Sequence, residues 1–224
     1  MVFEKFKAQY QEYLDFGGFP QVVLANSKDL KVKYLQDIFN SYYEKEIRIL
    51  GDFRNLSSFK ELLFLLIERA GTKLEYGKLA SELKVSRDSI YSYINFLEST
   101  YFVNLVPPFS RNPDREVSGA KKIYICDTGI LKNLGNVSEG SLLENSVFLN
   151  LKKFGKINYY QKRSGAEIDF IIKDIHSAFE VKRSGNLIDL KKLKSISQTI
   201  NFNEFYMITK NYFGEENVII ALDL

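Results

Sequence analysis

The sequence predicts a mixed α and β fold: N-terminal helices, then a winged helix-turn-helix, then an α/β domain with a mixed sheet. Three observations lead to this order. Apolar residues follow a helical spacing up to residue 71, two short helices and two apolar strands follow between residues 72 and 126, and strands alternate with helices from residue 141 onward. We therefore divide the chain into residues 1–71, 72–135 and 136–224.

The first part, residues 1–71, reads as a set of helices joined by tight turns. Phe16-Gly-Gly-Phe-Pro20 places two conformationally free glycines before a proline of fixed φ, which predicts a turn after a short first helix. A longer helix is predicted from about Lys28 to Leu50, and a third from Phe59 to Ala70, where Gly71 stops it. We expect these helices to be packing elements without chemistry.

Residues 72–135 have the pattern of a winged helix-turn-helix. A short helix over Glu75–Leu83 is followed by a turn, and Ser86 caps a second helix over Arg87–Ser99. Two apolar strands, Tyr101–Val106 and Lys121–Cys126, flank a loop with basic residues. The second helix of such a module enters the major groove of DNA. The candidate nucleic-acid contacts in this part are Arg87, Ser89, Tyr91, Arg111 and Arg115.

A DNA-binding role for this part is one of three alternatives, since winged helices also dock proteins or act as scaffolds. The net charge of the chain is only +3, so any affinity for nucleic acid has to come from local patches.

The last part, residues 136–224, alternates helices and strands in an order that suits a mixed sheet packed with helices. Its predicted elements are a helix over Ser141–Phe154, strands over Ile157–Gln161, Glu167–Ile172 and Ala178–Lys182, a helix over Leu187–Ile200, and strands over Glu204–Thr209 and Val218–Leu222.

Charged residues interrupt two apolar strands of this part, which form a predicted hairpin. The first strand carries Asp169, and the second carries Glu180 and Lys182 on one face, because side chains alternate between the faces of a strand. A hairpin centred between Asp174 and Ile175 sets Asp169 opposite Glu180, with Cβ atoms about 4.5–5.5 Å apart. Opposed carboxylates destabilise a sheet unless a cation holds them, so the pattern predicts a divalent-metal site in which Lys182 offsets developing negative charge.

This pattern, Asp-x(10)-Glu-Val-Lys on a hairpin, resembles the PD-(D/E)xK nuclease superfamily. The superfamily adds an acidic residue on the preceding helix, and Glu144 matches that place. The resemblance implies that Glu144, Asp169 and Glu180 ligate Mg²⁺ or Mn²⁺ and that Lys182 is the fourth catalytic residue. A glutamate early in a helix also suits the helix dipole, which is a structural explanation for Glu144. Many members of the superfamily keep the fold and lose the chemistry, so an active and a silent site both stay open.

Basic residues flank the hairpin on both sides. Gln161-Lys-Arg163 precedes it, and Arg183 follows Lys182 directly. Such residues can neutralise phosphates in a salt-dependent way, so Arg163 and Arg183 join the candidate nucleic-acid contacts.

A second resemblance covers nearly the whole chain. Five segments come in the order seen in the C-terminal region of archaeal and bacterial AAA-type ATPases, catalogued as domain of unknown function 4143. These segments are Phe16–Pro20, Tyr124–Leu131, Leu143–Asn145, Glu167–Phe170 and Phe179–Lys182. The resemblance implies that, besides DNA, the protein associates with an AAA-type ATPase domain or with another copy of itself.

The ATPase domain that usually precedes these segments has no counterpart here, because the chain contains no Gly-x(4)-Gly-Lys-Ser/Thr loop. We therefore expect no nucleotide as cofactor. The chain is expected to be a fragment, the product of a split gene, or a paralogue that lost its motor.

The composition restricts both the cellular compartment and the kinds of metal site that we expect. The lone Cys126 excludes a disulfide within the chain and fits a reducing compartment, and the lone His176 excludes zinc sites built on several histidines. Met1-Val-Phe-Glu-Lys does not open a secretory signal, and the longest apolar run, Leu62–Ile67, is too short to cross a bilayer. We expect a cytoplasmic protein without a membrane partner.

The residues and the two resemblances predict a DNA-associated protein with a nuclease-like domain that, if active, cleaves phosphodiesters with a divalent metal. The alternative is a catalytically silent module that binds DNA or docks a partner and works with an AAA-type ATPase.

Overall fold

In the computed structural model, which describes residues 2–47, 56–162 and 165–224, the chain forms two compact units. The first comprises Met1–Leu105 and Ile123–Ser138, and the second comprises Val106–Lys122 and Glu139–Leu224. The predicted boundary after residue 135 lies close to the junction at residue 138. The predicted boundary after residue 71 falls inside the first unit, and residues 106–122, predicted as part of the winged module, group with the second unit.

Ten α-helices lie in the described residues, and seven of them belong to the first unit. They are α1 (Val2–Phe16), α2 (Pro20–Val23), α3 (Lys28–Tyr42), α4 (Leu56–Glu68), α5 (Tyr76–Leu83), α6 (Arg87–Ser99), α7 (Pro113–Ser118), α8 (Thr128–Leu134), α9 (Glu139–Leu151) and α10 (Leu187–Thr199). The helix predicted to reach Leu50 is regular only to Tyr42 and continues as a π-helical turn over Tyr43–Ile47, and residues 48–50 lie outside the described residues. The third predicted helix begins earlier than expected, at Leu56.

The first unit is built around the apolar face of α4. Phe59, Leu62 and Leu66 are fully buried there, and the ring of Phe59 packs edge-on against Tyr93 of α6 with centroids 5.0 Å apart. Aromatic pairs of this geometry add to the stabilisation from burial alone. The N-terminal helices and the helix-turn-helix therefore share one core.

The helix-turn-helix forms with the predicted cap. Lys84 takes the left-handed conformation at the end of α5, with φ of 52°, and the hydroxyl of Ser86 accepts a hydrogen bond of 3.0 Å from the N–H of Ser89. Ser86 thereby satisfies one of the unpaired N–H groups at the start of α6. The short strands β1 (Val103–Val106) and β2 (Lys122–Ile125) form an antiparallel pair after α6. The assignment of these elements to a winged helix stays a prediction.

Helix α7 lies in the loop between β1 and β2 and was not predicted. The side-chain oxygen of Asn112 accepts a hydrogen bond of 2.9 Å from the N–H of Asp114, and Pro113 occupies the first helical turn. Asn-Pro-Asp is a start signal for a helix, so this element was readable from the sequence.

The second unit contains a mixed five-stranded sheet. Its strands are β3 (Ile157–Gln161), β4 (Glu167–Ile172), β5 (Ser177–Lys182), β6 (Glu204–Thr209) and β7 (Val218–Ile220), in the order β3-β4-β5-β6-β7. The pairs β3–β4 and β4–β5 are antiparallel, whereas β5–β6 and β6–β7 are parallel. Helix α10 forms the crossover between β5 and β6, and its Leu190, Leu193 and Ile196 join a buried cluster with Ala178 and Met207. The prediction of an α/β domain with a mixed sheet is therefore confirmed, and the assignment of this domain to the PD-(D/E)xK fold stays a prediction.

The Phe-Gly-Gly-Phe-Pro motif is explained by Asp127. Its Oδ2 accepts a hydrogen bond of 2.8 Å from the N–H of Gly18, and its Oδ1 caps α8 by accepting from the N–H of Ile130 at 3.1 Å. Gly17 has φ of +77°, and a Cβ at this position would lie 2.0 Å from Asp127 Oδ1. Burial raises the pKa of Asp127, and these N–H groups act against that shift. Two of the five family segments therefore serve the structure.

None of the helices in the described parts of the chain combines the length and apolar character needed to span a bilayer.

Candidate active site

The hairpin of β4 and β5 has the predicted register. The paired residues are Phe170 with Phe179, Ile171 with Ala178, and Ile172 with Ser177. These pairs are centred between Asp174 and Ile175, and the next position in the same register sets Asp169 against Glu180. The prediction of the hairpin centre is confirmed.

Asp169 is held in place by the opposite strand. Its Oδ2 accepts a hydrogen bond of 2.9 Å from the backbone N–H of Val181, and only 13% of its side chain is exposed. Burial raises the pKa of Asp169, while the charge of Lys122 and the Val181 N–H oppose that rise. The orientation of this carboxylate is therefore fixed by the backbone of β5.

Glu180 has one paired and one unpaired carboxylate oxygen. Its Oε1 lies 2.8 Å from the Nζ atom of Lys182, whereas its Oε2 is buried and has no hydrogen-bond partner within the described part of the chain. Burial, followed by the charge of Asp169, raises the pKa of Glu180 to about 7, while Lys182 and the backbone N–H of Asp169 act against that rise. A buried carboxylate oxygen without a partner is costly, so this position favours a proton or a cation.

Lys122 is the main residue that sequence reasoning missed. Its Nζ atom lies 2.6 Å from Glu167 Oε1, 3.6 Å from Glu144 Oε1 and 3.7 Å from Asp169 Oδ1, and only 7% of its side chain is exposed. Burial alone would lower the pKa of Lys122, but Glu144, Asp169 and Glu167 outweigh it and raise the pKa above the ordinary value for lysine. Lys122 is therefore a buried, charged ammonium among three carboxylates.

A sequence signal for this contact exists but is weak. Glu167 and Asp169 share a face of β4 by alternation, and Lys122 opens an otherwise apolar run, Ile123–Cys126. A lysine at the start of a buried strand needs a partner, and the surplus acidic residues on β4 are candidates for it.

The structure thus brings the four predicted catalytic residues into one neighbourhood. Glu144, on α9, reaches the same ammonium as Asp169, and Asp169 lies beside Glu180, which pairs with Lys182. Lys182 has a raised pKa, because its pairing with Glu180 outweighs the effect of burial. The roles of these residues as metal ligands and catalysts stay a prediction.

The arrangement of the acidic side chains determines whether they can bind a divalent metal. Within residues 2–47, 56–162 and 165–224, no group of three or more His, Cys, Asp and Glu side chains is arranged to hold a metal ion. Mg²⁺, however, commonly binds proteins through one or two carboxylates, with water and substrate phosphates as its other ligands. Asp169 and the unpaired oxygen of Glu180 meet that smaller requirement in number, and Lys122 lies 3.7 Å from Asp169 and 3.6 Å from Glu144.

Three predicted nucleic-acid contacts lie in the first unit, on α6. Arg87 and Tyr91 are exposed, and the guanidinium carbon of Arg87 lies 5.9 Å from the centroid of the Tyr91 ring. Tyr91 also stacks on Tyr76 of α5, with centroids 4.1 Å apart and planes 16° from parallel. The N–H of Ser89 is used by the cap at Ser86. An exposed aromatic ring with an adjacent guanidinium suits stacking on bases and contact with phosphates.

The other predicted nucleic-acid contacts belong to the second unit or fall outside the described residues. Arg111 and Arg115 are exposed in the segment 106–122, and Arg183 is 64% exposed, with a 3.2 Å ion pair to Glu139. Arg163 lies outside the described residues.

Two family models match the chain. A domain of unknown function, DUF8612, matches residues 7–141, and a second one, DUF4143, matches residues 139–222. DUF4143 is typically the C-terminal part of AAA-type ATPase proteins. The predicted resemblance to DUF4143 is confirmed for residues 139–222, and residues 7–141 match the other model.

Several curated proteins are similar to this chain. An uncharacterized protein of Methanocaldococcus jannaschii is 25% identical over an alignment that covers 93% of this chain and 51% of that protein. An uncharacterized protein of Haemophilus influenzae is 26% identical over 81% of this chain and 50% of that protein. One from Mycobacterium bovis is 22% identical over 75% of this chain and 42% of that protein.

The chain therefore spans about half the length of the curated relatives that it matches. No solved structure matches it significantly. Because the DUF8612 model covers residues 7–141, more than half of the 224 residues, this protein belongs to the DUF8612 family and carries a C-terminal region that matches DUF4143.

Proposed function

We propose that the second unit is a nuclease-like domain that cleaves phosphodiester bonds of nucleic acid with one divalent cation, Mg²⁺ or Mn²⁺, bound by Asp169 and Glu180. The observation that carries this proposal is the buried, unpaired Oε2 atom of Glu180 beside a second buried carboxylate. Desolvation and mutual repulsion both disfavour this pair in its charged form. A divalent cation relieves both costs at once.

The protein groups around the pair support phosphodiester chemistry. The Val181 N–H fixes Asp169, and the Nζ atom of Lys182 lies 2.8 Å from Glu180 on a side chain that is partly exposed. In this position Lys182 stabilises the negative charge that develops on a phosphate in the transition state. The bound cation would supply the activation of water and the neutralisation of the phosphate.

Nucleic acid, with DNA as the first candidate, is the substrate class that the surface favours. Arg87 and Tyr91 form an exposed guanidinium–aromatic pair in the first unit. Arg115 and Arg183 are exposed in the second unit, which also carries the carboxylates. Positive side chains of this kind contact phosphates without reading sequence.

A second candidate function is that of a catalytically silent module that works with an AAA-type ATPase. Lys122 favours it, because this ammonium already neutralises part of the carboxylate cluster. Two further facts favour it: DUF4143 is typically the C-terminal part of AAA-type ATPase proteins, and the chain spans about half of its relatives' length.

A cleavage assay separates the two functions. Single-stranded DNA, duplex DNA and RNA are incubated with the protein in Mg²⁺, in Mn²⁺ or in chelator. We expect metal-dependent cleavage that Asp169→Asn and Lys182→Ala abolish. Asp174→Asn is the matched control, because Asp174 is an exposed carboxylate on the turn of the same hairpin, and this variant should cleave like the wild type.

Two results would contradict the nuclease proposal. Cleavage by Asp169→Asn at the wild-type rate would place the activity elsewhere or in a contaminant. Wild-type protein that neither binds Mn²⁺ in calorimetry nor cleaves any of the three nucleic acids would leave the partner module as the function.

A further inference from the structure

Two lysines are buried in the described part of the chain, and they are used in different ways. Lys31 donates hydrogen bonds to the backbone oxygens of Val22 and Val23, at 2.7 and 3.0 Å, and its Nζ atom lies 3.2 Å from a single carboxylate, that of the exposed Glu12. Lys122 instead lies within 3.7 Å of three carboxylates. Lys122 therefore serves three carboxylates at once, whereas Lys31 mainly caps backbone oxygens and pairs with one exposed carboxylate.

The Lys122 ammonium, itself a cation, is surrounded by three carboxylates and an aromatic ring. Oxygens of Glu144, Glu167 and Asp169 approach it from two elements, α9 and β4, and the ring of Tyr159 lies 5.5 Å from it. Carboxylate oxygens are the donors that divalent hard cations prefer. Asp169 is shared between this position and its other neighbour, Glu180.

We propose that Lys122 is a tethered cation that fills the second of two cation positions, so that the site accepts one divalent ion, at Asp169 and Glu180, and excludes a second one beside Glu144. This inference rests on the proposed function for the role of the first ion. Two-metal phosphodiesterase sites hold their ions about 3.5–4 Å apart around a shared ligand. An ammonium attached to the chain has a high effective concentration there, so it excludes a free ion from the same oxygens.

Removing the ammonium should open the second position. Lys122→Ala leaves three carboxylates around a vacated space, and a divalent ion then takes the place of the lost charge. We therefore expect Lys122→Ala to bind one more equivalent of Mn²⁺ per chain than the wild type does, as counted by isothermal titration calorimetry.

Two variants serve as controls for this count. Lys122→Arg keeps the positive charge and should bind the wild-type number of ions. Lys173→Ala breaks a 2.6 Å ion pair with Glu116 in the same unit, in which neither residue is a proposed cation ligand, and should also leave the count unchanged.

The proposal can be tested even if Lys122→Ala destabilises the protein. Lys122→Ala leaves buried carboxylates unbalanced, so the melting temperature of the variant is also measured with and without Mn²⁺. The Mn²⁺-induced rise should be larger than that of the wild type. If the single variant does not fold, Lys122→Ala combined with Glu167→Gln retains Glu144 and Asp169 with less charge, and should still bind the additional ion.

The outcomes distinguish the two proposals. If the wild type binds one Mn²⁺ and a folded variant without Lys122 binds no more, the role of Lys122 is overturned and the proposed function stays intact. If neither protein binds Mn²⁺, both proposals are overturned. A wild type that binds no Mn²⁺, beside a variant that binds one ion, overturns the proposed metal site at Asp169 and Glu180 and supports the role of Lys122.

Discussion

The backbone N–H of Val181 donates a hydrogen bond of 2.9 Å to Oδ2 of Asp169, so the strand that carries Glu180 also fixes the carboxylate opposite it. This bond holds one carboxylate, while the ammonium of Lys182 holds the other. Positions fixed in this way suit a catalytic group, because little reorganisation is needed at the moment of reaction.

The raised pKa of Glu180 predicts a pH-dependent stability. The pKa is about 7 in the folded protein and near 4.5 for an ordinary glutamate, so the folded state holds more protons between these values. The free energy of unfolding should therefore fall as the pH rises from about 4.5 to 7, by at most about 1.4 kcal/mol per pH unit. Urea denaturation at several pH values measures this slope.

The control for this slope is the neutral isostere. Glu180→Gln has no proton to lose, so its stability should depend less on pH in this window, and Asp174→Asn should keep the wild-type slope. The same pH dependence in Glu180→Gln and the wild type would show that Glu180 titrates normally.

A divalent ion should stabilise the folded protein. At about one hundred times the dissociation constant, the gain is roughly 2.7 kcal/mol, which is resolvable as a rise in melting temperature. Asp169→Asn should remove this rise together with any cleavage. Lys182→Ala should keep the rise and lose turnover, because lysine acts on developing charge and does not ligate. Loss of the metal-induced rise in Lys182→Ala would contradict this division of roles.

Duplex DNA binding should depend on Arg87 and Arg115. Each alanine substitution is expected to weaken binding and to lower the slope of log K against log salt by about 1 if that arginine contacts a phosphate. Fluorescence anisotropy across a salt series measures both effects. Arg69→Ala, which breaks a 2.6 Å pair with Glu82 in the first unit, is the control and should leave the slope unchanged. Unchanged isotherms for Arg87→Ala would assign the helix-turn-helix to docking or scaffolding.

Gly17 and Gly18 form a matched pair for a stability test. Gly17→Ala places a methyl group in a left-handed conformation and against Asp127, so we expect a loss of at least about 2 kcal/mol. Gly18→Ala places its methyl group 3.5 Å from the ring of Tyr13 and should change stability by less than about 0.5 kcal/mol. Equal losses in urea denaturation would mean that Asp127 does not define the turn.

Short-range sequence patterns predicted the hairpin of β4 and β5 correctly, but they did not predict every residue that contacts it. The register of β4 and β5 follows from a short polar turn between two apolar runs, so the opposition of Asp169 and Glu180 was accessible from the sequence. Lys122 lies 45 residues before Glu167, and no short-range pattern encodes such a contact. The change from α-helix to a π-helical turn at Tyr43 was also missed, because nothing in the apolar spacing after Lys28 marks it.

The contacts of α1 with residues near α8 carry a consequence for synthesis on the ribosome. The Gly18 N–H binds Asp127 across 109 positions, and Asn133 donates to the backbone oxygen of Asp15 across 118 positions. At usual elongation rates the partners of α1 emerge on the order of ten seconds after it does. The nascent α1 segment therefore has to remain unaggregated through that interval, and a chaperone or an early partner that covers α1 would act before Asp127 can.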